Sequence, residues 1–97
     1  MKIKILTLGT LYLITKHFEN IVDFDFEPKL IDVINYIIDK HPEIKNQIIN
    51  NGKLLDNLSI LVNGREYRYI NEGLNLILKD GDTVAIVPPA GGGIFIQ

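Results

Sequence analysis

The sequence predicts an α+β fold in which one main helix packs on one face of a mixed sheet of about five strands. Three observations lead to this prediction. Several short segments alternate apolar and polar residues with the period of a β-strand, one longer segment has the apolar spacing of an amphipathic helix, and turn-forming residues separate these segments. The helix falls between the second and third strands, so the simplest packing lays it across a single sheet.

Length and composition indicate one small domain. The chain has 97 residues, 46% of them hydrophobic, and a formal net charge of −2. Its ten basic residues are scattered, which argues against a nucleic-acid partner. The absence of cysteine and the wide spacing of the two histidines predict neither a metal site nor a cofactor. No signal peptide and no apolar run of about 20 residues are visible, so we expect a cytoplasmic protein without a membrane partner.

The first two strands are predicted to form an antiparallel hairpin. Alternation over residues 2–8 places one set of side chains, Ile3, Ile5 and Thr7, on one face and the other set, Lys2, Lys4, Leu6 and Leu8, on the opposite face. A loop from Gly9 to Asn20 follows. The second strand is predicted where Val22, Phe24 and Phe26 alternate with acidic residues.

The main helix is predicted over residues 30–40. Its apolar residues have the spacing of one helix face, and they are Leu30, Val33, Ile34, Ile37 and Ile38. Pro28 suits the start of a helix, and Pro42 disfavours its continuation. A short second helical segment over residues 43–49 is predicted to stop at Asn50-Asn51-Gly52.

The remaining strands are predicted over residues 58–62, 66–70 and 83–87. Asn63-Gly64 indicates a tight hairpin turn between the first two, and Pro88-Pro89 ends the last strand. If the first and last strands pair in parallel at the centre, the result is the β-grasp, or ubiquitin-like, arrangement. That pairing is taken from known folds, because the sequence pattern alone does not require it.

A glycine run follows the predicted domain of residues 1–89. Gly91, Gly92 and Gly93 have no side chain to pack and lose much conformational entropy when ordered, so we expect residues 90–97 to form a flexible arm. Taken alone, such a run is equally typical of a linker or a tail. Its position directly after an apolar strand and two prolines favours a functional role.

The segment from Lys79 to Gly93 resembles the C-terminal end of the molybdopterin synthase small subunit, the MoaD family, and of the related ThiS sulfur carriers. It has an acidic-glycine turn, an apolar strand, Pro-Pro, two residues and then Gly92-Gly93. The resemblance implies that the carboxylate of Gly93 is adenylated by an activating enzyme and converted to a thiocarboxylate. The implied sulfur acceptor is the large subunit of molybdopterin synthase or an equivalent protein.

Four residues, Ile94 to Gln97, follow the glycine pair that ends the family's sequences. A carboxylate on Gly93 therefore requires cleavage of the Gly93–Ile94 bond, which implies a processing protease as a further partner. The alternative is that the extension blocks the carrier role and leaves a β-grasp domain with another function.

A candidate docking surface can be inferred without the resemblance. If the helix covers the Ile3 face of the first strand, then Leu6, Leu8 and Val87 lie on the other face, near the start of the arm. Contiguous exposed apolar area usually marks a contact site, so we expect partner enzymes to bind here. The alternative is that a loop covers these side chains or that they are ordinary surface residues.

Three classes of function follow from these features. The first is a sulfur carrier for molybdenum or tungsten cofactor synthesis. The second is a ubiquitin-like protein modifier, and the third is a non-catalytic interaction domain with an intact tail. A free-standing enzyme is disfavoured because the sequence contains no recognisable nucleophile–base pair, metal cluster or phosphate-binding loop. We therefore expect a protein cosubstrate that acts with partner enzymes.

Overall fold

A computed structural model of the chain describes residues 1–89, and residues 90–97 lie outside the described part. The helices and strands follow in the order β1 (Lys2–Thr7), α1 (Thr10–Thr15), β2 (Glu19–Asp23), α2 (Leu30–Lys40), α3 (Lys45–Ile48), β3 (Ile49–Asn50), β4 (Lys53–Leu54), β5 (Ser59–Val62), β6 (Arg65–Glu66) and β7 (Thr83–Val87). Three 3-10 helices complete the set at Pro42–Ile44, Tyr67–Tyr69 and Gly73–Asn75.

The central sheet has five strands in the order β2-β1-β7-β5-β6. β1 pairs with β2 in antiparallel fashion and with β7 in parallel fashion. On the other side, β5 pairs in antiparallel fashion with both β7 and β6. The predicted mixed sheet, with its first and last strands parallel at the centre, is confirmed.

Helix α2 has the predicted bounds and buries the predicted face, because its five apolar residues at helical spacing are all buried. The backbone N–H of Lys29 donates to the Asp32 carboxylate at 2.8 Å, which supports the first turn of the helix. The helix packs against side chains from the sheet, and the fully buried members of this core include Ile3, Ile5, Leu58, Ile60, Val84 and Ile86. One face of the sheet is thereby covered.

The segment predicted as a loop after β1 contains the short helix α1. Its residues Leu11 and Thr15 are buried, one helical turn apart. Thr7 on β1 donates a hydrogen bond to the His17 carbonyl at 2.7 Å, and its hydroxyl lies 3.0 Å from that of Thr15. These buried hydroxyl contacts attach the end of α1 to the sheet, and they depend on tertiary contacts that the sequence pattern does not reveal.

The second strand is displaced from its predicted position. β2 ends at Asp23, and the Phe24 ring turns into the core, where it packs edge-on against Tyr36 at a centroid distance of 5.6 Å. Phe26, which the alternation placed on the buried face, is 51% exposed. Aromatic packing against α2 therefore replaces the last part of the predicted strand.

The hairpin turn at Asn63-Gly64 is confirmed, since both residues have positive φ, at 50° and 86°. The strand after it is shorter than predicted, because β6 ends at Glu66 and a 3-10 helix follows. The Arg68 guanidinium explains this change: it donates to the backbone carbonyls of Leu55 and Asp56, which holds the chain in a turn.

The region after α2 also differs in detail from its prediction. A 3-10 turn precedes α3, and the predicted stop at Asn50-Asn51-Gly52 belongs to a second hairpin formed by β3 and β4. Asn51 and Gly52 have positive φ values of 54° and 78°, the conformation that a tight hairpin turn requires.

Candidate functional site

The two faces of β1 differ in their surroundings. Ile3, Ile5 and Thr7 have no exposed surface: the two isoleucines join the core with α2, and Thr7 contacts Thr15 at the end of α1. Leu6 and Leu8 point to the opposite face, and each keeps part of its surface exposed. Since α2 covers only the first face, the second is the side of the sheet that faces away from the core.

Strand register gathers apolar side chains on this second face. Leu6 lies opposite Ala85 on β7, and Ala85 in turn lies opposite Leu61 on β5. Beyond the last parallel pair, the Leu8 backbone N–H donates to the Ile86 carbonyl at 3.1 Å, which leaves Leu8 beside Val87. We call this surface the outer apolar face and define it as Leu6, Leu8, Leu61, Ala85 and Val87.

The outer apolar face is separate from the core. Ala85 is buried at 8% exposure, whereas the other four side chains are half-buried. None of these four is among the partly buried side chains of the described region that pack against the core. Their remaining exposed surface is therefore accessible to a partner, in the position expected for Leu6, Leu8 and Val87.

Two members of this surface, Leu61 and Ala85, did not emerge from the sequence. A signal for both was present. Ala85 alternates with the buried Val84 and Ile86, and Leu61 alternates with buried neighbours in the same way. Strand period alone places both on the outer side, but their alignment with Leu6 depends on the pairing register, which only the structure supplies.

Charged residues flank the outer apolar face on both sides. On the β2 side, Lys4 and Glu19 form an exposed ion pair at 3.9 Å. On the β6 side, Glu66 lies opposite Leu61 and 3.5 Å from the Arg68 guanidinium. The Lys4–Glu19 pair is exposed and adds little to stability, whereas the Glu66 side chain is only 18% exposed. We interpret these charged residues as a polar rim around an apolar centre.

The chain leaves the sheet next to this surface. Pro88 is buried directly after β7, and Pro89 is half-buried. A Cβ atom added to Gly9 would lie 3.4 Å from Cγ of Pro88, an ordinary van der Waals distance, so the two residues are neighbours. The predicted reactive residues, Gly92 and Gly93, lie outside the described residues.

Residues 1–89 contain neither a candidate metal site nor a candidate membrane-spanning helix. No group of three or more histidine, cysteine or acidic side chains in this range could hold a metal ion. Within the same range, no helix is both long enough and apolar enough to cross a membrane.

Comparison with known proteins decides the family. Residues 5–93 match the model of the ThiS family. The chain belongs to this family. The match includes the outer apolar face, the chain exit at Pro88 and the glycine run up to Gly93, and it leaves residues 94–97 outside.

Two curated relatives are named as sulfur carriers. A protein of Archaeoglobus fulgidus named as a candidate sulfur carrier is 38% identical over 65 residues, which cover 67% of this chain and 70% of the relative. The molybdopterin synthase sulfur carrier subunit of Phaeosphaeria nodorum is 36% identical over 69 residues, covering 67% of this chain and 65% of the relative. The chain thus spans about two thirds of the length of the curated relatives that it matches.

A solved structure confirms the fold. The solution structure of small archaeal modifier protein 1 from Methanosarcina acetivorans superposes with a TM-score of 0.80 at 31% identity, covering 95% of this chain and 96% of that one. The predicted β-grasp, ubiquitin-like fold is confirmed. This ThiS-family chain therefore has homologues named both as sulfur carriers and as protein modifiers.

Proposed function

We propose that this protein is a sulfur carrier that donates sulfur in molybdopterin biosynthesis through a thiocarboxylate on Gly93. One observation carries the proposal: the ThiS-family match ends at Gly93, the second residue of the predicted glycine pair, although the chain continues to Gln97. This end point supports Gly93 as the mature C-terminus, with Gly92 preceding it in the enzyme's channel. A processing protease then removes residues 94–97.

The chemistry follows from a glycine carboxylate, which is unreactive until it is activated. In the adenylating enzyme, the carboxylate attacks the α-phosphorus of ATP, forms an acyl adenylate and releases pyrophosphate. Hydrosulfide, HS⁻, then attacks the carbonyl carbon and displaces AMP, and loss of the proton from sulfur leaves the thiocarboxylate. Since every catalytic group belongs to a partner, this chain is a cosubstrate. The need for ATP places the reaction in the cytoplasm.

The folded domain supplies recognition in this proposal. Val87 belongs to the outer apolar face, and Gly93 lies six positions further along the chain. A fully extended backbone of that length spans about 20 Å. An enzyme that binds the outer apolar face can therefore receive the Gly93 carboxylate in an active site up to about 20 Å away. Both the activating enzyme and the sulfur acceptor need such a surface.

The choice of molybdopterin biosynthesis as the pathway rests on the name of one homologue. The name of the P. nodorum homologue supports molybdopterin synthase, with its large subunit or an equivalent protein as the sulfur acceptor. A second candidate, a ubiquitin-like modifier, is favoured by the modifier protein of M. acetivorans, which has the same fold at 31% identity. Both candidates use an activated Gly93, and they differ only in whether sulfide or a lysine amine displaces AMP.

The test compares three forms of the chain with the adenylating enzyme of the same host. A form that ends at Gly93 retains every described core residue, and we expect it to support ATP–pyrophosphate exchange and, with sulfide added, to gain the mass of one oxygen-to-sulfur replacement. The 97-residue form should do neither. A shortened form with Gly93→Phe should also fail, because a side chain would obstruct the channel.

The results separate the candidates. Thiocarboxylate formation together with sulfur transfer to the molybdopterin precursor supports the carrier. Adducts on lysines of host proteins, without sulfur transfer, favour the modifier. If the chain persists uncut in its host and the form ending at Gly93 is not adenylated, both candidates are refuted and an interaction domain takes their place.

A further inference from the structure

The two edge strands of the central sheet differ in how much backbone they offer to another chain. β6 forms one edge and has only two residues, Arg65 and Glu66, before a 3-10 helix begins. β2 forms the other edge and has five residues, from Glu19 to Asp23, with neither a proline nor a positive φ among them. Unpaired backbone groups at a sheet edge can pair with a strand from another chain. The β6 edge is protected by its shortness, whereas β2 is regular along its whole length.

The hydrogen bonds at the two ends of β2 show which of its backbone groups stay unpaired. The Phe24 N–H donates to the Met1 carbonyl at 2.8 Å, and the Phe18 carbonyl accepts from the Thr7 N–H at 3.1 Å. Backbone groups of an antiparallel strand face toward and away from the neighbouring strand in alternation, so the even-numbered residues bond to β1 and the odd-numbered ones face away from it. We call the odd-numbered residues the β2 edge, and they are Glu19, Ile21 and Asp23. No other strand within residues 1–89 pairs with them.

The side chains of the β2 edge have a symmetric pattern of charge. Ile21, at its centre, is 63% exposed. Glu19 and Asp23 lie two positions to either side, so all three side chains are on one face of the strand. Glu19 pairs with Lys4 and Asp23 pairs with the N-terminal ammonium of Met1, yet both carboxylates remain exposed. The β2 edge therefore presents one apolar side chain between two accessible carboxylates.

This pattern opposes pairing with a second copy of the chain. An antiparallel pair of β2 strands centred on Ile21 would place Glu19 opposite a second Asp23, and a parallel pair in register would bring identical carboxylates side by side. Like charges in cross-strand positions destabilise a sheet. A strand from another protein avoids this repulsion when it places basic residues beside both carboxylates and an apolar residue beside Ile21. Because the pattern is symmetric about Ile21, such a strand fits in either direction.

We propose that the β2 edge binds an extended segment of a partner protein by strand addition. The segment has an apolar residue with a lysine or arginine two positions to each side of it. Main-chain hydrogen bonds to the odd-numbered residues supply affinity, and the alternate side chains supply specificity. No residue of the β2 edge belongs to the outer apolar face, and this binding involves no chemistry at Gly93. The inference therefore does not depend on the proposed function.

The first test adds a cyclised β-hairpin peptide to the isotope-labelled 97-residue chain and follows the NMR shifts of the backbone amides. One strand of the peptide has the sequence Lys-Thr-Val-Thr-Lys, and the other strand is N-methylated so that it cannot pair. We expect saturable shifts at the amides of Glu19, Ile21 and Asp23. A peptide with glutamate in place of both lysines should bind at least about tenfold more weakly, because it places like charges beside the two carboxylates.

Variants of the chain test the charge pattern and the mode of binding separately. Glu19→Lys combined with Asp23→Lys should reverse the preference, so that the glutamate peptide binds more tightly than the lysine peptide. Asp25→Lys combined with Glu27→Lys is the matched control, because it makes the same change of charge at exposed residues beyond the strand and should keep the preference of the parent. Ile21→Pro removes an outward-facing N–H without removing a bond to β1, and it should weaken binding at least about tenfold.

The proposal is refuted if the lysine peptide causes no saturable shift at the β2 edge, or if the two peptides bind equally well. It is also refuted if the charge-swapped variant keeps the preference of the parent, or if a folded Ile21→Pro chain binds like the parent. Amide shifts at the β2 edge that depend on the concentration of the chain itself would show pairing with a second copy instead. If Ile21→Pro does not fold, the charge-swapped variant decides alone. None of these measurements involves adenylation of Gly93, so a failure of the proposed function would leave them unchanged.

Discussion

The inner and outer faces of β1 use similar side chains for different purposes. Ile5 and Leu6 are consecutive residues of similar size in one strand, yet Ile5 is fully buried under α2 and Leu6 is half-buried on the opposite side. Inner residues join the core, whereas Leu6 does not pack against it. Apolar residues on the inner face are needed for folding. Those on the outer face lie outside this core, which is why we interpret them as a partner surface.

The largest expected loss of stability comes from a substitution on the inner side of the sheet, at the centre of α2. Ile34 is fully buried, so Ile34→Asp would place an unpaired charge in the core. The expected loss is several kcal/mol, out of roughly 5–15 kcal/mol for a typical domain. Chemical denaturation should show a largely unfolded protein. Asn35→Asp, at the exposed next position, is the matched control and should unfold like the parent. Equal stability of the two variants would contradict the packing of α2.

A smaller loss of stability is expected from alanine substitutions that compare the two faces of β1 directly. Ile5→Ala removes fully buried atoms and should lower the free energy of unfolding by about 2–5 kcal/mol. Leu6→Ala removes half-buried atoms outside the core and should lower it by less than about 1 kcal/mol. Denaturant titration of both variants measures the difference. Comparable losses would mean that the outer face also supports the fold, which would weaken its assignment as a partner surface.

The elements predicted correctly from the sequence are those whose signal is local. Helix α2 has five apolar residues at helical spacing, and all five are buried within the predicted bounds. β7 also has its predicted bounds, because alternation precedes two prolines that cannot continue a ladder. At Asn63-Gly64, the need for positive φ at both positions identified the turn.

The elements that the sequence did not reveal depend on distant contacts. Helix α1 is held by Leu11 in the core and by the hydroxyl contact between Thr7 and Thr15, and its six residues are too few for a periodic signal. β6 ends early because Arg68 binds backbone carbonyls more than ten positions away in the chain. At the candidate site, Leu6, Leu8 and Val87 could be named from strand alternation. The contact between Gly9 and Pro88 could not, since it joins the two ends of the domain.

A small effect on stability, together with a clear effect on partner binding, is expected at Leu8. Its side chain lies on the outer apolar face beside Val87, so Leu8→Asp should lower the free energy of unfolding by about 1 kcal/mol or less. Binding to the adenylating enzyme should weaken at least about tenfold, because a charge within an apolar contact must lose its hydration when the partner binds. Titration calorimetry measures this binding without requiring the reaction.

Ile77→Asp is the matched control for Leu8→Asp. Ile77 is 53% exposed and lies opposite Lys29, before the turn that leads into β7. The control therefore introduces the same charge at an exposed apolar residue that lies outside the outer apolar face. We expect the control to bind like the parent. If a folded Leu8→Asp protein also binds like the parent, the enzyme does not use this face. If both variants bind weakly, added negative charge anywhere opposes binding, and only a neutral change such as Leu8→Asn can then test the apolar contact itself.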